Sequence, residues 1–225
     1  MSPATVFHDV ACTVCGCVCD DLRLTVQNGR IVRAEGACPL SEGWLLGQDA
    51  RQPPAAEIEG QPADLETAVQ RSAEILAAAR WPLIFGLSRS STEGQRAAVR
   101  LAERIGANID TTASLCHAPS VMAIQEVGES TCTLGEIKNR ADLLIFWGVD
   151  PVASHPRHFQ RYSVDPAGLS VPLGRKDRTV VVMDAEPSES SQLADTFIRV
   201  ERGYEFETLW SLRCLVRGLP LPSQG

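Results

Sequence analysis

Three cysteines, Cys12, Cys15 and Cys19, fall in a CxxCxxxC run, and a fourth, Cys38, returns after a stretch that reads as a hairpin. This pattern constrains the chain more than any other, because the backbone between Cys19 and Cys38 must fold back before the four thiols can share a centre. A [4Fe–4S] cluster needs such a set, with three ligands from a tight loop and one from a remote position. A structural Cys₄ zinc site is the rival, since it also uses CxxC, though more often as two pairs joined by a linker. Reduced cysteines without metal are the third reading. Cys17 is spare in this register, and spacing leaves its role open. The other cysteines, Cys116, Cys132 and Cys214, are scattered, which fits metal ligation plus buried thiols better than a disulfide framework.

The hairpin is read from Leu22 to Val26, Asn28-Gly29 and Ile31 to Ala34, where the Asn-Gly pair suits a type I′ turn. A loop rich in Pro and small polar residues, Gln48 to Ala63, marks a boundary. The expected division is a Cys-rich module over 1–52 and an α/β domain over 64–225. Asp64 caps a predicted helix to about Arg80. There follow a strand Pro82 to Leu87, a helix Glu93 to Ile105 stopped by Gly106, an extended stretch Asn108 to Thr111 and a helix around Val121 to Val127. Beyond these come a helix Leu134 to Arg140, strands Leu143 to Val149 and Thr179 to Met183, and a helix Phe206 to Arg217. Strands alternating with helices predict an α/β fold with a parallel sheet.

With 225 residues, 44% of them hydrophobic, the chain can bury a core of about one to two domains. A net charge of −7 offers no global basic surface, so nucleic acid is excluded as the main partner. No basic-then-apolar leader opens the sequence, and the longest apolar runs are too short to span a bilayer. A soluble, cytoplasmic protein with no membrane partner is expected.

Cys116-His117 stands between an extended segment and a predicted helix. A thiolate there, beside an imidazole and near a helix N-terminus, is suited to a soft metal. On these residues alone, a buried structural cysteine beside a capping loop is the stronger reading.

Two further segments carry a resemblance. Cys132-Thr133-Leu134-Gly135-Glu136-Ile137-Lys138-Asn139-Arg140-Ala141-Asp142 leads into Phe146-Trp147-Gly148-Val149-Asp150-Pro151, followed by His155-Pro156-Arg157-His158. Together with Cys12-Thr13-Val14-Cys15-Gly16-Cys17-Val18-Cys19-Asp20-Asp21, the chain closely resembles the B-type subunits of formylmethanofuran dehydrogenases over nearly all its length. The resemblance implies a molybdopterin-oxidoreductase fold of the formate dehydrogenase type. It implies a [4Fe–4S] cluster on Cys12, Cys15, Cys19 and Cys38, and a tungsten or molybdenum pterin guanine dinucleotide with Cys116 as the metal thiolate. His117 would be the adjacent acid–base or orienting group.

By the same resemblance, Gly148 and Asp150 would approach the pterin cofactor at the carboxyl end of their strand. His155, Arg157, His158 and Arg161 would offer donors to its phosphates. A solvated basic loop is an equal reading of those four. Asp184, at the next strand end, would accept from guanine or ribose, or else cap a helix. The implied function is the redox half of carbon dioxide, formate and formylmethanofuran interconversion, with the other subunits of the complex as partners.

The chain departs from that family in two ways. It is shorter than the redox B-type subunits, so a complete cradle for two pterins is not expected from it. After Cys38, Pro39-Leu40-Ser41 lacks the basic residue that the wider family often carries between cluster and pterin. Both departures point to the alternative of a non-redox, architectural B-type subunit in a formyltransferase/hydrolase complex of tetrahydromethanopterin-linked formaldehyde oxidation. A zinc-stabilised interaction protein is the alternative from another class.

Overall fold

Leu22 and Leu24 are buried while Arg23 between them is exposed, the period-two pattern of a strand with one covered face. The computed structural model, which describes residues 3–48, 53–88 and 90–221, makes that strand the middle of a three-stranded antiparallel sheet. The sheet runs β1 (Thr5–Val10), β2 (Leu22–Gln27), β3 (Arg30–Glu35) in that order. Asn28 and Gly29 both take positive φ, 52° and 76°, as a type I′ turn requires. The first strand was not expected from sequence. Its side chains are exposed from Thr5 to Asp9, so no buried face marks it. Helix α1 (Pro39–Leu46) begins directly after Cys38.

Next come β4 (Ala56–Ile58) and β5 (Gln61–Ala63), an antiparallel hairpin inside the segment read as a loop; positions 49–52 of that segment lie outside the described residues. Helix α2 (Leu65–Ala78) is capped as expected, with Asp64 accepting from the Thr67 N–H at 2.9 Å. There follow β6 (Leu83–Gly86), α3 (Thr92–Ile105) and β7 (Asn108–Thr111), with β6 and β7 parallel. Gly106 closes α3 at φ +67°, a left-handed cap. Two short helices, α4 (Ala113–Cys116) and α5 (Ala118–Val127), follow.

The last stretch holds α6 (Leu134–Arg140), β8 (Leu143–Trp147), α7 (Pro151–Ser154) and α8 (His158–Arg161), then β9 (Thr179–Asp184), α9 (Glu189–Gln192), β10 (Thr196–Arg199) and α10 (Glu205–Val216). The three strands form one parallel sheet in the order β10-β9-β8. Val180 and Val182 of the central strand are fully buried. The buried Arg178 ties this layer together by donating to the carbonyls of Ile137, Lys138, Ala141 and Pro166, which satisfies the C-terminal end of α6.

The fold is therefore mixed α/β with parallel sheets, but its division differs from the one expected between 52 and 64. One compact unit takes the described residues up to 48 together with those from 132 on; the other takes 53–131. Residues of one short segment explain why the Cys-rich sheet shares a unit with the late strands. Tyr162 packs on the core of Cys12, Cys17, Cys19, Leu22, Leu24, Ala34 and Leu45. Phe159 enters the core of Leu144, Val164 and Val180. In the middle unit, Leu65, Val69, Trp81, Leu83 and Phe85 are all exposed. Among the described residues no helix is long and apolar enough to cross a membrane.

Candidate metal centre

The loop from Cys12 to Cys19 is closed at its ends by the backbone, with the Cys12 N–H donating to the Cys19 carbonyl at 2.7 Å. Within it, Val18 sits at φ +42°, a strained value for a β-branched residue. The loop curls so that Cys12, Cys15, Cys17 and Cys19 line one small cavity, with a volume of ≈ 10 Å³. The β2–β3 hairpin brings Cys38 to the same wall, beside Gly36 and Ser41. All four predicted cluster cysteines thus meet, and Cys17 joins them. Among the described residues no three His, Cys or carboxylate side chains are grouped as the ligands of one metal ion.

The thiols differ in environment. Cys17, only 2% exposed, is pushed up to about 12 by burial and by the neighbouring Cys15, Cys19 and Cys38. Cys19 is also raised, mainly by burial, and the Arg157 and Arg161 guanidinium groups pull against it. At Cys38, burial is outweighed by the Ser41 hydroxyl and by the backbone N–H groups at the start of α1, which hold the thiol below its ordinary value. Its sulfur lies 3.5 Å from Ser41 Oγ, and Ser41 Oγ accepts from the Cys38 N–H at 3.1 Å.

The basic segment after β8 docks onto this loop. Arg157 grips Asp21 with two parallel bonds, Nη1 to Oδ1 at 2.7 Å and Nη2 to Oδ2 at 2.6 Å, and donates to the Gly36 carbonyl at 3.0 Å. Arg161 reaches Asp20 at 2.6 Å and Asp21 at 2.7 Å. Tyr162 donates to the Cys17 carbonyl at 2.7 Å. His155 Nε2 stands 3.6 Å from where a β-carbon on Gly16 would lie. His158 lies deeper, with its Nδ1 2.9 Å from Ser163 Oγ, and burial and then His155 lower its pKa.

Sequence reasoning gave Asp20, Asp21, Ser41 and Tyr162 no role. The signal available was charge: an acidic pair directly after Cys19, and a basic segment over 155–161 with no acidic residue in it.

The remaining predicted residues lie elsewhere. Gly148, at φ +61°, and Asp184 line an open cleft of ≈ 300 Å³ at the carboxyl ends of β8, β9 and β10, with Trp147, Ala185, Val200, Arg202 and Glu205. Asp150 turns inward. Its carboxylate accepts from the N–H and hydroxyl of the fully buried Ser190, and these bonds outweigh the effect of its burial and hold it below the usual carboxyl range. Cys116 and His117 are exposed in the middle unit, at the junction of α4 and α5. His117 lines a cleft with residues at the carboxyl ends of β6 and β7.

The B-type subunit of the tungsten-containing formylmethanofuran dehydrogenase 2 of Methanocaldococcus jannaschii is 39% identical to this chain over 223 residues, 96% of the chain. The chain is related to the B-type subunits of formylmethanofuran dehydrogenases. The corresponding protein of Methanococcus maripaludis is 36% identical over 97% of the chain. The chain spans about half the length of these relatives, 51% and 52%. The B-type subunit of the formyltransferase/hydrolase complex of Methylorubrum extorquens is 36% identical over 97 residues, 43% of this chain and 26% of that protein. A chain in the crystal structure of that complex with methylofuran shares the fold, with a TM-score of 0.57 and 24% identity over 74% of this chain and 45% of its own length. No family model matches the chain.

Proposed function

We propose that this chain is a B-type subunit of a formylmethanofuran dehydrogenase assembly in one-carbon metabolism, and that its N-terminal module holds a [4Fe–4S] cluster. The observation that carries the reading is the gathering of Cys12, Cys15, Cys19 and Cys38 round one cavity, from two separate stretches of chain. Three thiols from one tight loop with a fourth from a remote position is the ligand arrangement of a [4Fe–4S] cluster, whereas Cys₄ zinc sites more often use two CxxC pairs.

When bound, the cluster supplies one-electron transfer. The chain's own residues do the rest. At Cys38, the Ser41 hydroxyl and the backbone N–H groups at the start of α1 lower the thiol pKa, which favours the thiolate form that ligation needs. Leu22, Val14 and Val18 line the apolar side of the cavity, and Arg157 lines another part of its wall. Partners are the other subunits of the assembly, a reading supported by the exposed apolar side chains of the middle unit.

For the pterin, the fit is incomplete. Gly148 and Asp184 share a cleft, but Asp150, Arg157 and His158 are already bonded within the chain. Cys116 is kept as the proposed thiolate for the pterin's tungsten or molybdenum, with His117 beside it for proton handling; both are exposed and accessible. The fold match to the formyltransferase/hydrolase complex favours a second reading, in which the same scaffold serves without redox chemistry.

The test is anaerobic purification of the chain with whatever subunits accompany it, followed by quantification of iron, zinc, tungsten and molybdenum in wild type, Cys38→Ser and Cys116→Ala. About four irons per chain, falling in Cys38→Ser, together with tungsten or molybdenum that falls in Cys116→Ala, is the expected outcome. Iron without tungsten or molybdenum favours the scaffold reading. Zinc alone, or no metal, overturns the cluster.

A further inference from the structure

Among the residues on the wall of the cysteine cavity, Arg157 is the one that carries a fixed charge. Asp21, which holds it, does not line that wall. The Arg157 side chain is 16% exposed and that of Asp21 44%. The cation therefore sits in the less screened place, facing the thiols, while its counterion faces water. Its position is fixed by the two bonds to Asp21 and by the bond to the carbonyl of Gly36, itself a wall residue. Gly36 adopts φ +79°, a left-handed backbone that a residue with a β-carbon would hold only under strain. The stretch after Cys38 brings Ser41 to the wall but no charged side chain.

We propose that Arg157 sets the electron affinity of the group held by the cysteines, acting as the fixed positive charge that stabilises its reduced form. This inference rests on the cluster reading. Reduction adds one electron, and so one negative charge, to the group, with no bond made or broken in the chain. A cation on the wall lowers the free energy of that added charge, and Asp21 partly offsets it from farther out. Arg157 is thus a positioning and electrostatic residue and ligates nothing.

A purely bracing role for the Arg157–Asp21 pair predicts something different, because removing either partner would then have the same effect. The test is a redox titration with dithionite, followed by electron paramagnetic resonance, on the full chain purified anaerobically with its accompanying subunits. Iron per chain is measured alongside. Arg157→Gln should lower the midpoint so that the oxidised-to-reduced ratio at a fixed potential rises about tenfold, about 59 mV for one electron. Arg157→Lys should stay near wild type, and Asp21→Asn should move the midpoint upward, all with iron retained. If Arg157→Gln sheds its iron, the Lys and Asn variants still decide. Midpoints that do not move, or that shift in the same direction in Arg157→Gln and Asp21→Asn, overturn the inference while leaving the cluster in place. A wild-type protein without iron overturns both.

Discussion

The hydroxyl of Tyr162 donates to the carbonyl oxygen of Cys17 at 2.7 Å, joining residues 145 positions apart. Cys17 is 2% exposed, so water offers its carbonyl little replacement. Tyr162→Phe should cost about 1–3 kcal/mol, the penalty of an unsatisfied buried acceptor, read as a lower urea midpoint. An unchanged midpoint would show that the bond contributes nothing to holding the loop.

Arg178 is the structural cation of the late layer. Arg178 is 4% exposed, and its guanidinium satisfies the carbonyls of Ile137, Lys138, Ala141 and Pro166. Arg178→Met keeps much of the volume and removes every donor. A loss of about 3 kcal/mol or more is expected, with Arg178→Lys restoring only part because an ammonium cannot reach the same fork of acceptors. Chemical denaturation of the two variants side by side checks the order.

Gly168 packs flat against the end of α6. A β-carbon built on it would lie 2.2 Å from the Lys138 carbonyl oxygen and 2.6 Å from Asn139 Cα, both backbone atoms that cannot swing aside. Gly168→Ala should destabilise by about 1–3 kcal/mol or more. Thermal melts reveal it, and a wild-type melting temperature would contradict the packing described.

His158 gives the unit a pH dependence of defined sign. Burial, and then His155, lower its pKa from the ordinary 6.5. Above 6.5 both folded and unfolded chains hold it neutral, and its contribution is complete. As pH falls from 6.5 towards the lowered folded value, the unfolded chain takes up a proton that the folded chain does not, so stability falls. The urea midpoint should therefore drop between pH 7.5 and 5.5 by more in wild type than in His158→Gln. Equal drops would assign the pH dependence to other groups.

Local chemistry made much of this fold legible. The Asn28-Gly29 turn, the Asp64 cap, the Gly106 stop and the apolar runs of β8 and β9 act within a few residues, and each element was expected within a few residues of where it lies. What sequence did not disclose is non-local or exposed. Strand β1 has no buried face to mark it, and β10 shows only partial burial at Phe197. The gathering of the four predicted cysteines followed from their spacing, but the entry of Cys17 did not, because it depends on how the loop curls at Val18. The basic residues 155–161 were read as donors for a phosphate or as a solvated loop. Arg157 and Arg161 instead meet Asp20 and Asp21, a pairing across more than a hundred positions that no local pattern encodes.

The discontinuous first unit imposes an order on biosynthesis. The thiol loop leaves the ribosome before the segment that will cover it has been translated, and at roughly 5–20 residues per second the 145 positions from Cys17 to Tyr162 take roughly 7–30 s. During that interval neither Tyr162 nor Arg157 is present over the loop. The proposed cluster, delivered then, would meet the thiols before Arg157 joins their wall. Delivered later, it would meet a wall on which Arg157 is already held by Asp21.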